Sequence, residues 1–204
     1  MAQTTPSNQI EALLDAAERV VLRQGIGNLT FDAVAEEAGV SKGGVLHHFK
    51  TKNLLIEGMV TRSAEGWRTC YTTAYEGTPE GPGRMARALL GHCLSDAKCW
   101  MEELRSSSSA VFAALAQNPD LINPMRSAYS DLYDKIREDN LPPGVGEMVA
   151  AAIDGMWLEW VLGLAPLDQE RVARVRGALE KCLAACAPCG TTKDETGEDD
   201  ADSD

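Results

Sequence analysis

TFDAVAEEAGVSKGGVLHHFKTK, residues 30–52, is the stretch on which the reading of the chain turns. Phe31, Val34, Ala35 and Ala38 fall on one stripe of a short helix, and Gly39 then supplies the backbone freedom of a tight turn. Ser41 follows as an N-cap, and Val45, Leu46 and Phe49 give a second short helix an apolar face to bury. Two short helices joined by a glycine turn make a helix-turn-helix. Between Ser41 and Asn53 stand Lys42, Lys50 and Lys52, with His47, His48 and no acid, in a chain whose net charge is -12. A local positive strip on an acidic protein points to phosphate.

Ala35, Ala38-Gly39-Val40-Ser41, Leu46 and His48-Phe49 followed by Lys52 resemble the DNA-binding signature of the TetR family of bacterial repressors. The resemblance covers roughly the first quarter of the chain. It implies a double-stranded DNA operator as partner, contacted by Thr30, Ser41, Lys42, Gly43, Gly44, His47, His48 and Lys52. Thr30 is explained equally by capping the helix that follows it and by also touching a phosphate. Glycine is costly inside a helix, so Gly43 and Gly44 reflect either close approach of the backbone to DNA or a frayed first turn. His47 and His48 make a poor metal pair, because neighbouring side chains on a helix point about 100° apart.

The rest of the chain sets the frame. With 204 residues, 44% of them hydrophobic, it can bury one sizeable core or carry a small domain on a larger one. No window has the roughly 18 uninterrupted apolar residues of a membrane span, so no membrane partner is expected. MAQTTPSNQIE lacks the cationic start and apolar run of a signal peptide, and a cytoplasmic location is expected. Cys70, Cys93, Cys99, Cys182, Cys186 and Cys189 then read as reduced thiols rather than a disulfide framework. Seven acids against Lys193 place -6 of the net charge in residues 190–204. A disordered acidic tail over 189–204 is expected, either a solubilising end or a competitor with DNA for the basic strip.

Helical spacing continues throughout. Asn8-x-x-Glu11 looks like a capping box opening a first helix that ends at Gly25, which completes a three-helix DNA-binding head over 1–52. Thr51 caps a fourth helix reaching about Ala74, some 35 Å long. A proline- and glycine-rich loop over 76–83 follows, and then only helical patterns. The expected fold is all-α, about nine helices, with a larger helical ligand-binding and dimerisation body over 53–188. Its last two helices are unusually apolar. Ile153, Trp157, Trp160 and Val161 against Val175, Leu179 and Leu183 would form half of a four-helix interface in a homodimer, as TetR-like proteins assemble, or else an internal core pair.

No phosphate loop, zinc-protease motif or nucleophile elbow occurs, and Ser106–Ser109 has no nearby base, so neither enzymatic activity nor a cofactor is expected. The resemblance implies a pocket for a small-molecule effector in the body, for which Trp67, Tyr71, His92, Trp100, Arg105, Phe112, Met125, Tyr129 and Trp157 are the candidates; the same residue types also line cores. The function expected is a ligand-responsive regulator, a repressor that binds a palindromic operator as a homodimer and is released by its effector. The competing reading is a helical thiol- or metal-responsive protein using Cys182, Cys186 and Cys189, with or without DNA binding, those cysteines otherwise being small buried hydrophobes.

Overall fold

Three side-chain oxygens start three helices in the N-terminal quarter. Thr30 Oγ1 accepts from the Ala33 amide at 3.1 Å, Ser41 Oγ from Gly44 at 3.1 Å and Thr51 Oγ1 from Leu54 at 3.2 Å. Each cap satisfies an amide the helix itself cannot, for about 1 kcal/mol. In the computed structural model, which describes residues 6–95, 108 and 110–186, the helices are α1 (Pro6–Gln24), α2 (Phe31–Ala38), α3 (Lys42–His48), α4 (Lys52–Glu76), α5 (Arg84–Cys93), α6 (110–117), α7 (Asn123–Arg137), α8 (Val145–Val161) and α9 (Gln169–Cys186). The described residues include no strand. Trp100, Arg105, Cys99, Cys189 and the expected tail over 189–204 lie outside the described residues.

One boundary differs from expectation. Asn8 is inside α1 rather than at its cap, because the helix already begins at Pro6, whose fixed φ suits a first helical position. Between α2 and α3, Gly39 turns the chain at φ 68 and ψ 31, and its amide donates to the carbonyls of Ala35 and Glu36. This left-handed geometry is the one that favours glycine at a helix C-terminus.

Two hydrophobic cores are threaded on α4. The first joins Leu14, Ala17 and Val20 of α1 to Val34 and Val45, to Leu55, Ile56 and Met59 of α4, and to Ala110, Ala113, Ala114 and Leu121. The head's core therefore does not stop at residue 52. The second gathers Tyr71 of α4 with Met85 and Leu89 of α5, Leu132 and Ile136 of α7, Val149, Ile153 and Met156 of α8, and Val172, Leu179 and Leu183 of α9. At 1.5 Å per residue, the 25 residues of α4 span about 37 Å from one core to the other.

Two features fix the body. Asp139, buried after the end of α7, accepts from the Met85 and Ala86 amides at 2.9 and 3.0 Å and so caps α5 from across the fold. Gly146 lets α8 lie against α7: a Cβ there would stand 2.5 Å from Ile136 Cγ2.

Candidate functional site

The α2–turn–α3 unit presents one face of α3 to solvent while Val45 and Phe49 hold the other in the core. Ser41, Lys42, Gly43 and His47 are exposed, so these expected contact residues share one surface. His48 is turned away. It is half-buried, its Nε2 lies 3.3 Å from Gln9 Oε1 on α1, and its ring meets His47 edge-on at 5.0 Å. A groove of about 320 Å³ runs between α1 and α3 beside this pair.

The basic strip is modified by what the fold brings to it. Asp32, outside the acid-free window, pairs with Lys42 at 2.8 Å. Both partners are exposed, which makes the pair weak and its lysine available to a stronger anion. Lys52 is half-buried and donates to the Ile26 carbonyl at 3.4 Å, bracing the 3-10 turn over Ile26–Asn28 as well as adding charge. Lys50 is exposed.

Ion pairs hold the face in register. Arg19 and Arg23 of α1 meet Glu37 of α2 at 2.7 and 2.8 Å, and the Arg19 hydrogen bond leads in holding the Glu37 carboxyl below its ordinary range. Arg62 of α4 reaches Asp15 and Glu18 of α1 at 2.7 Å each and Glu11 at 3.1 Å. Three acids at helical spacing on α1 thus converge on one guanidinium.

In the body, the expected pocket residues that the structure describes as packed in a core are divided between the two cores. Tyr71 is fully buried in the body core, and its hydroxyl donates to the Ala128 carbonyl at 3.5 Å; Trp67 packs edge-on to it at 5.8 Å. Met125 packs instead against the head core. Phe112 and Trp157 stack at 6.4 Å, and Trp157 Nε1 donates to Ser108 Oγ at 3.2 Å. Tyr129 donates to Asp154 at 2.7 Å, while His92 is half-buried near the end of α5. Asp154 is the residue missed from sequence. Its signal was there: an acid in the middle of the apolar run AAAIDGMW.

The expected interface residues need correction. Ile153, Leu179 and Leu183 are buried in the protomer's own core, and Val175 packs against it. Trp160 and Val161 line a groove of about 510 Å³ with Val21, Leu22, Ile26 and Phe112, where α8 passes the head. The reason is that α8 is apolar almost all round, and its bulkier face has turned inward. Outside it leaves Met148, Ala151, Gly155, Leu158 and Leu162, a stripe at spacings of three and four; Leu158 is 43% and Leu162 53% exposed.

On α9, Cys182 and Cys186 are both half-buried one turn apart, and none of the four described cysteines forms a disulfide. No group of three metal-ligating residues occurs among the described residues. No helix there is long and apolar enough to cross a membrane.

The described architecture is thus a helix-turn-helix with an exposed second helix, joined by α4 to a helical body. The family model for bacterial regulatory proteins of the tetR family matches residues 13–59, and the model for the tetracyclin repressor-like C-terminal domain matches residues 83–184. The chain belongs to the TetR family. It is a DNA-binding transcriptional regulator and not an enzyme. The TetR-family relatives include the HTH-type transcriptional regulator BetI of Klebsiella pneumoniae (strain 342), 30% identical over an alignment of 175 positions that covers 78% of this chain and 84% of BetI. Among solved structures, the multidrug binding protein EbrR in complex with ethidium is 26% identical and superposes with a TM-score of 0.60 over 86% of this chain and 99% of its own. A transcriptional regulator from Rhodococcus sp. Rha1 shares the fold at 20% identity, with a TM-score of 0.72 over 88% and 98% of the two chains.

Proposed function

We propose that this TetR-family regulator is a cytoplasmic repressor that binds a palindromic operator as a homodimer and is released by a small-molecule effector. The observation that carries the DNA contact is the open space around Gly43. An added Cβ there would meet only Ser41 Oγ at 3.7 Å, and at Gly44 only Ser41 and Val40 side chains at 3.6 Å or more. Nothing among the described residues requires glycine at either place. Close approach of a DNA backbone does, with Ser41, Lys42 and His47 on the same face and Thr30 and Lys52 at its margins.

One short recognition helix reads few base pairs, so two heads about 34 Å apart are needed. The outward stripe of α8, Met148, Leu158 and Leu162, with the exposed small residues Ala173, Ala178 and Ala185 of α9, is the surface we assign to the partner protomer. An exposed apolar stripe of this kind marks an association surface. EbrR binding ethidium supports a small-molecule effector held in the body.

The test is binding to DNA from upstream of the protein's own gene across a range of salt. Log affinity should fall linearly with log salt, and Lys42→Ala should flatten the slope by about one unit. Salt-independent binding, or none, removes the operator reading.

A further inference from the structure

Asp154 lies halfway along α8, between Ile153 and Met156, both of which are buried in the body core. Its carboxylate is half-buried and, among the described residues, takes one hydrogen bond, from the Tyr129 hydroxyl at 2.7 Å. No lysine, arginine or histidine among the described residues pairs with it. Burial pushes the Asp154 carboxyl above its ordinary range, against the smaller opposing pull of the Tyr129 bond. Among the described residues, the titratable groups that act on this pair are Tyr133 on α7 and the buried Cys93 on α5, and neither brings a positive charge.

The surroundings are aromatic. Tyr129 and Tyr133 sit one turn apart on α7 with ring centroids 6.4 Å apart, and Trp157, one turn beyond Asp154 on α8, stacks on Phe112. On α4, Trp67 packs against the same core with its Nε1 buried and lacking a hydrogen-bond partner. A carboxylate drawn out of water needs a counter-charge, and the faces of aromatic rings attract cations. A perturbed acid among such residues is a candidate site on physical grounds. A metal ion fits poorly, since hard cations want six or more oxygens where one carboxylate and one phenol are offered. An organic cation satisfies the carboxylate with its charge and the rings with its body.

We propose that Asp154 is the anionic anchor of the effector site and that the effector is an organic cation, its charged centre on the Asp154 carboxylate and its apolar part against Tyr129, Tyr133 and Trp157. This inference rests on the effector-released reading above and adds the chemical class of the ligand. A neutral molecule of the same shape would leave the carboxylate without a partner, and an anion would be repelled by it.

The experiment uses two probes that differ in charge alone, benzyltrimethylammonium and its neutral isostere neopentylbenzene, titrated into the full-length protein with tryptophan fluorescence as the readout. The expected result is binding of the cation at least tenfold tighter than of the isostere, and loss of that preference in Asp154→Asn, which keeps the shape and the acceptor for Tyr129. Equal affinities in the unmodified protein overturn the proposal without recourse to any variant, as does failure of both probes to bind. A preference retained by Asp154→Asn, with its helicity intact, overturns it too. The operator complex gives the second arm. Release by the neutral isostere alone would keep effector control and refute the cation; Asp154-dependent binding that leaves the complex intact would keep the site and refute effector-driven release.

Discussion

Gly43 separates stability from function more cleanly than any other residue in the head. Alanine is favoured over glycine in a helix by up to about 1 kcal/mol, and the added methyl would meet nothing closer than 3.7 Å. Gly43→Ala should therefore raise the melting temperature while weakening operator binding. A variant that gains stability and keeps full affinity would show that the glycine leaves no room for DNA. Asp154 separates the two in a related way. Its folded-state pKa is raised, so ionisation on going from acid to neutral pH stabilises the unfolded chain more than the folded one, and stability falls across and above the ordinary carboxylate range. Asp154→Asn should accordingly raise thermal stability at pH 7, with the gain shrinking as the pH is lowered through that range; thermal melts across pH check this. At this scale much was legible from sequence, because a cap is a local device: Thr30, Ser41 and Thr51 each bond an amide three residues on. Asp32 against Lys42 and Tyr129 against Asp154 were not, because each pairing depends on how separate helices pack.

Helix α8 shows where pattern reading loses its grip. Amphipathicity identifies an inner face only when the other face is polar, and along Val145–Val161 the polar residues are too few to mark one. The pair of C-terminal helices was therefore readable as apolar, but not which side of each belongs to the protomer's own core. The two sides make opposite predictions. Leu158→Glu with Leu162→Glu alters exposed positions, and should yield folded single protomers by sedimentation with intact helicity by circular dichroism. Leu179→Glu places a charge among the buried body residues and should unfold the protein, since an unpaired buried charge is among the most destabilising changes available. A folded dimer from the double variant would move the association surface elsewhere. Asp139 belongs at this scale as well, because it ties the start of α5 to the end of α7. Asp139→Ala leaves the Met85 and Ala86 amides buried without their acceptor and should cost about 1.5–3 kcal/mol in chemical denaturation.

For the molecule as a whole, the sequence suggested a head ending at residue 52 and a body beginning at 53, and no physical seam runs there. Ala110, Ala113 and Ala114 of α6 are wholly buried against the head, and Arg62 clamps α1 to α4 beyond the nominal boundary. Such long-range packing leaves no trace in local periodicity. The consequence reaches into how such proteins can be re-engineered. The recognition unit of this regulator is not a detachable cartridge: an excised fragment covering residues 1–60 would open the surface that α6 now covers, and by circular dichroism it should show far less helix than the same residues contribute to the intact chain. A hybrid that grafts a foreign reading head onto this body would need a head core that Ala110, Ala113 and Ala114 of α6 can complete, or the graft would bind neither its new address on the genome nor, with any firmness, its own adopted body.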